Sequence, residues 1–228
     1  MRTLIEGPIH ASTPSDALPL MPRPIAWTPD GLVVEEILWA TDAPPRNIGL
    51  VNSADGSKRT LREADHVSVY PSHDGAKIAV VTGALLLGEP PKTGIEILDV
   101  ASGQAHEIVP VQQGLVRTIG WSPDDQKLLY ALSTDYQAPA TSIHARNPDG
   151  SGEQQFEVGG PGSKTSYADI AWQNNQAALL LAPEADGYVH LYALPLDAFD
   201  ISGLQPIAAF EYDRASQAAI EIIYTPGQ

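Results

Sequence analysis

Four stretches of the chain repeat one pattern of apolar and polar positions: IAWTPDGLVVEEIL, VSVYPSHDGAKIAVV, IGWSPDDQKLLYAL and IAWQNNQAALLLA. Each is a short apolar run closing on an aromatic residue, then a polar turn rich in Pro, Asp, Asn or Gly, then a second apolar run. That order predicts a β-hairpin. The aromatic anchors, Trp27, Tyr70, Trp121 and Trp172, recur at intervals of 43, 51 and 51 residues. A four-stranded propeller blade takes about 40 to 45 residues, and loops such as GALLLGEPPKT after Thr82 account for the longer intervals.

The remainder of each unit is patterned too. In IGLVNSADGSKRTL, IEILDVASGQAHEIV and IHARNPDGSGEQQFEV an extended run meets an Asp or Ser plus Gly turn and a further extended run follows; LYALPLDAFDISGLQPIAAF repeats this loosely. Helical periodicity is weak, and about 20 short candidate strands predict an all-β chain with few helices. The predicted fold is a β-propeller of four-stranded antiparallel blades, with full units near residues 24–63, 66–110, 116–158 and 167–210. Terminal strands at 2–6 and 219–224 would supply parts of a fifth, in a single propeller domain or propeller fragment.

The W(S/T)PDG, DGSG and DVASG turns at blade spacing resemble the TolB-type, WD-repeat-like β-propeller family over roughly residues 24–210. The resemblance implies a six- or seven-bladed disc that is usually a protein-binding platform, and sometimes the accessory domain of a hydrolase. This chain departs from it in number, since such a ring needs about 240 residues or more at that blade size. The ring is small, or the chain belongs to a longer protein, or the blades leave edges for a partner or second copy to cover. Open edges would need such a cover, since unpaired strand edges aggregate, and an incomplete ring is the favoured reading.

Composition narrows the partners. Thirteen Lys and Arg against 28 Asp and Glu give a net charge of −15, which repels phosphate backbones and anionic membrane surfaces and disfavours nucleic acid. The chain has no cysteine, so disulfides and thiolate metal sites are excluded. No stretch has the length of a signal-peptide core or a transmembrane helix, which predicts a soluble chain without fixing its compartment.

Candidate chemistry is weighed residue by residue. In WSPDDQKLLY, Trp121 to Tyr130, the adjacent Asp124 and Asp125 suggest an acid pair. Aligned with WTPDG, Asp124 becomes the turn residue and Asp125 a substitute for glycine at an exposed hairpin tip, where pKa values have no burial to drive them apart. GGPGSKTS, Gly159 to Ser166, lacks both the glycine before lysine and the strand-to-helix setting of a phosphate loop. SADGSK and NPDGSG read as hairpin turns. One carboxylate per turn is too few for Ca²⁺, so no cofactor is expected, a structural Ca²⁺ being the alternative kept open. The six histidines, at 10, 66, 73, 106, 144 and 190, show no HExxH spacing, and no serine stands in a GxSxG elbow. The repeated tryptophans are expected to anchor blade cores, with Trp39 an exception placed for recognition.

Variable loops on a rigid scaffold are where binding concentrates. The face opposite the short turns collects ATDAPPR, GALLLGEPPKT, STDYQAPA, APEADG, READH, PVQQGLVR and GGPGSKTSYAD. The candidate binding residues are therefore Glu63, Asp65, His66, Arg117, Tyr167, Asp169 and Trp39, against the plainer reading that such polar groups satisfy the backbone at a channel rim. The function expected is a non-catalytic scaffold for a protein or peptide, with self-association through open blade edges a specific form. The alternative is the propeller portion of a larger peptidase-like hydrolase, or a metal-dependent hydrolase or lactonase in which Glu63, Asp65 and Asp169 meet on one cation.

Overall fold

The computed structural model describes residues 20–38, 45–84, 89–134, 140–157, 169–183, 188–196 and 205–211. Among them there is no helix, and the strands form four antiparallel sheets of four. The first sheet contains β1 (Leu20–Thr28), β2 (Gly31–Leu38), β3 (Asn47–Val51) and β4 (Lys58–Glu63). The second contains β5 (Ser68–Pro71), β6 (Lys77–Ala84), β7 (Lys92–Asp99) and β8 (Ala105–Gln113). The third is β9 (Leu115–Trp121), β10 (Leu128–Ser133), β11 (Ala140–Arg146) and β12 (Gln154–Glu157). The fourth is β13 (Asp169–Asn174), β14 (Ala177–Pro183), β15 (Tyr188–Pro195) and β16 (Ala208–Glu211). In every sheet spatial order follows chain order, as in a propeller blade. The proposed terminal strands at 2–6 and 219–224 lie outside the described residues.

Two compact units contain these sheets: Met1–Leu87 with Lys92–Gln112, and Gly88–Pro91 with Gln113–Gln228. In the first unit, Val33, Ile48, Leu50 and Leu61 of the first sheet pack on Ile78, Val80, Leu98 and Val100 of the second. The register explains the selection: Val33 stands opposite Leu50, and Glu35 opposite Ile48, so alternate residues of GLVVEEIL share the core face. In the second unit, Leu129, Ile143 and Phe156 meet Ile170, Trp172 and Leu180 across the sheets. Burying each such large apolar side chain stabilises by about 1.5–3 kcal/mol.

The turns show why the polar runs lie where they do. At the β5–β6 hairpin the Ser72 hydroxyl donates to Asp74 Oδ1 (2.7 Å) and accepts the Lys77 N–H (3.0 Å). At β9–β10 Ser122 donates to Asp124 Oδ1 (2.7 Å) and accepts the Lys127 N–H (2.9 Å). Gly75 has φ 69° and Asp125, its counterpart, φ 56°, so Asp125 does stand in for glycine. Its side chain is not at an exposed tip, however: Asp125 is buried within the turn while Asp124 faces solvent. At the first hairpin Gly31 is required, since a Cβ at its φ of 145° would lie 2.1 Å from the Val51 carbonyl oxygen.

Candidate functional site

In the first unit a carboxylate points into the core face. Glu35 is 2% exposed, directly opposite Arg23 in the β1–β2 register, and Arg23 pairs with it through its guanidinium. Its other oxygen lies 3.1 Å from His66 Nε2, and His66 is 0% exposed. His66 Nδ1 is 3.3 Å from the Ala64 carbonyl, and its backbone N–H donates to the Pro45 carbonyl (3.0 Å). Burial opposes the charge on Glu35, but the bonds from His66 and Arg23 outweigh it and hold the carboxyl below its usual range. The READH loop is fixed further by Arg62, which donates to Glu96 (3.0 Å) and to the Ala64 carbonyl (2.8 Å).

The second unit has a cluster that motif reading misses. Ser142 and His144 share one face of β11, with Ser142 Oγ 2.8 Å from His144 Nε2. His144 Nδ1 is 3.1 Å from Glu153 Oε1, Arg146 pairs with the same carboxylate, and Tyr130 stacks on the imidazole at 4.9 Å. Glu153 is held below the usual carboxylate range by Arg146 and His144 against the opposing effect of burial. Burial pushes the Tyr130 phenol up to about 12. The hydroxyl–imidazole–carboxylate order is that of an acyl-transfer relay, but such a relay acts only beside a cleft that admits substrate and stabilises an oxyanion. Two clefts among the described residues, one in each unit, are lined by other residues. The cluster's evident effect is to tie β11 to the β11–β12 hairpin. Its sequence signal was polar residues alternating with Ile143 and Ala145 along SIHAR, a strand pattern rather than a motif.

The named candidates fall as follows. His66 is the buried partner of Glu35. Glu63 ends β4 and is exposed; Asp65 is exposed with its carboxylate 3.9 Å from Arg46. Arg117 lies half-buried in β9, and Asp169 opens β13 opposite Leu181. Trp39 and Tyr167 lie outside the described residues, as does about half of the long-loop face. Among the described residues no three His, Cys, Asp or Glu side chains gather as a metal site would require. No helix among them is long and apolar enough to cross a membrane.

The aromatic anchors divide. Trp121 and Trp172 are each 5% exposed, as expected of core residues. Trp172 packs on the preceding sheet of its unit and donates its indole N–H to the Gly120 carbonyl (2.8 Å). Trp27 departs from the expectation: it is 63% exposed. It stands opposite Leu32, on the face of the first sheet turned away from the core shared with the second. The first unit also has a cleft of about 470 Å³ at its short-turn end, lined by Asp30, Leu50, Asn52, Ser57, Arg59 and Ala101.

No protein-family model matches the chain, and no curated protein matches it either. Solved structures do. An oligogalacturonate lyase in complex with manganese superposes with a TM-score of 0.60 at 12% identity, covering 81% of this chain and 52% of that one. An uncharacterized protein from Listeria monocytogenes EGD-e gives 0.59 at 14% identity, covering 83% and 54%. The Pyrococcus horikoshii acylaminoacyl peptidase gives 0.51 at 15% identity, covering 82% and 32%. The chain spans about half the length of the first two. The likeness is one of fold, that of the TolB-like β-propellers, and a fold shared by enzymes and non-enzymes selects no activity.

Proposed function

We propose that this chain is a non-catalytic β-propeller scaffold that binds a protein or peptide, with the Trp27 face of its first sheet as the docking surface. The observation that carries the reading is the contrast among equivalent residues: Trp172 is seated on a preceding sheet, whereas Trp27 presents its indole to solvent. A large exposed aromatic on a rigid sheet is the kind of anchor that dominates binding energy at interfaces. The paired acids and histidines support a scaffold as well, because Glu35 and Glu153 are committed to partners within their own units. A second copy of the chain is one occupant of this face, and an unrelated protein is the other.

A photo-crosslinking residue at position 27, compared with one at the exposed turn residue Ser53, tests this. Position 27 should crosslink to a polypeptide in cells, and Trp27→Glu should abolish the complex while the chain still folds. Equal labelling at 27 and 53, or a complex that survives Trp27→Glu, overturns the reading. Light scattering of the purified chain then separates a second copy from a foreign partner.

A further inference from the structure

At the short-turn end of the second unit the third and fourth sheets enclose a cleft of about 600 Å³, within the range of ligand pockets. Its polar walls are Lys127, Gln154, Asn174, Asn175 and Gln176, and Pro195 adds an apolar patch. The hydrogen bonds already made there determine what is left over. Asn174 Oδ1 accepts the N–H groups of Gln176 (2.7 Å) and Ala177 (2.9 Å), and Asn175 Oδ1 accepts the Asp124 N–H (3.2 Å). Both carboxamides therefore retain their NH₂ groups as donors. Gln154 donates its NH₂ to the Leu196 carbonyl, and its Oε1 is buried with no hydrogen-bond partner. A buried acceptor left unmet is destabilising, and a ligand donor would relieve it. No ion pair to Lys127 occurs among the described residues.

The first unit supplies an internal control. There Arg59 occupies the corresponding place near the start of the outer strand, and its Nη2 donates to the carbonyls of Val100 (2.8 Å) and Ala101 (3.0 Å), just past the third strand. Gln154 makes the same strap to Leu196, just past β15. Arginine has no acceptor, so the first strap leaves nothing unmet, whereas the glutamine strap leaves one oxygen without a donor.

We infer that this cleft binds a short extended peptide segment bearing a carboxylate. A peptide group offers an N–H for Gln154 Oε1 and carbonyls for the Asn174 and Asn175 amides; the carboxylate pairs with Lys127. Among the described residues no aromatic ring lines the cleft, which removes the stacking surface that favours a sugar. The site is separate from the Trp27 face and stands or falls independently of it.

The probe is acetyl-Gly-Ala-Glu-amide, titrated to about 10 mM in the range of weak millimolar binding, with side-chain amide NMR as the readout. The Gln154, Asn174 and Asn175 amide signals should shift together and saturate. The glutamine analogue of the peptide, and the Lys127→Ala variant, should each weaken binding about tenfold, the loss of one charge-assisted bond. Gln154→Arg imports the first unit's own solution: it keeps the strap, removes the acceptor, and should fold normally yet lose binding. No shift with the peptide overturns the proposal, as does undiminished binding to Gln154→Arg. A response to glucose without one to the peptide assigns the cleft to a carbohydrate instead.

Discussion

Asp125 shows at residue scale how one backbone angle sorts substitutions. At φ 56° glycine is unstrained and aspartate tolerated, while a β-branched residue clashes with its own carbonyl. Asp125→Gly should leave stability within about 0.5 kcal/mol in urea unfolding, and Asp125→Val should lose on the order of 1–2 kcal/mol. Glu35 makes the pH prediction. Its folded pKa is lowered, so its contribution to stability is present above the unfolded value of about 4.3 and is lost as pH falls through the folded value. Glu35→Gln should lower the melting temperature at pH 7 and flatten its decline in acid. The loss at neutrality is about 1–3 kcal/mol, because His66 keeps a weaker acceptor in a buried site.

Between elements, the sheets are joined by a few stereotyped contacts. Gly120 is one: a Cβ there would lie 3.3 Å from Trp172 Cδ1, so the glycine lets the indole reach its carbonyl. Trp172→Phe keeps most of the buried area but leaves that carbonyl without its donor, and should cost about 0.5–1.5 kcal/mol beyond the lost area. Gly31→Ala should be far worse. Its Cβ would enter the Val51 carbonyl oxygen, the β1–β2 hairpin would have to shift, and circular dichroism melts should show a loss of more than about 2 kcal/mol. The straps from Arg59 and Gln154 make a third contact of this kind, at which one residue type closes a junction completely and the other leaves an oxygen for a ligand.

At the scale of the molecule, the exposed Trp27 among buried counterparts gives a direct optical test. In a Trp39→Phe background, which leaves three tryptophans, Trp27→Phe should reduce acrylamide quenching of tryptophan emission and shift the remaining emission to the blue, because Trp121 and Trp172 are shielded. Partner binding should produce the same change in the wild-type chain. A net charge of −15 adds a salt dependence: pairing of two copies should strengthen as salt screens their repulsion, whereas capture of a basic partner should weaken.

How much was legible followed from the range of the interactions. Hairpin turns such as WSPDDQ and WTPDG depend on neighbours a few residues away, so their place and the glycine role of Asp125 could be read along the chain. The apolar alternation that builds each sheet is local as well, which is why strand order and fold class were accessible. Whether a polar residue is buried depends on contacts remote in sequence. Glu35 in GLVVEEIL looks like a solvated charge until His66, 31 residues on, is brought to 3.1 Å. Likewise SIHAR shows an alternation but not that Glu153 closes the cluster, and IAW repeats without saying which copy lacks a sheet to cover it. The sequence by itself determined the hairpins, their turn chemistry and the four-stranded units. The tertiary structure alone decided that Trp27 is exposed, that Glu35 and Glu153 are internally paired, and that Gln154 holds an unmet acceptor, because burial is a property of what neighbouring sheets cover.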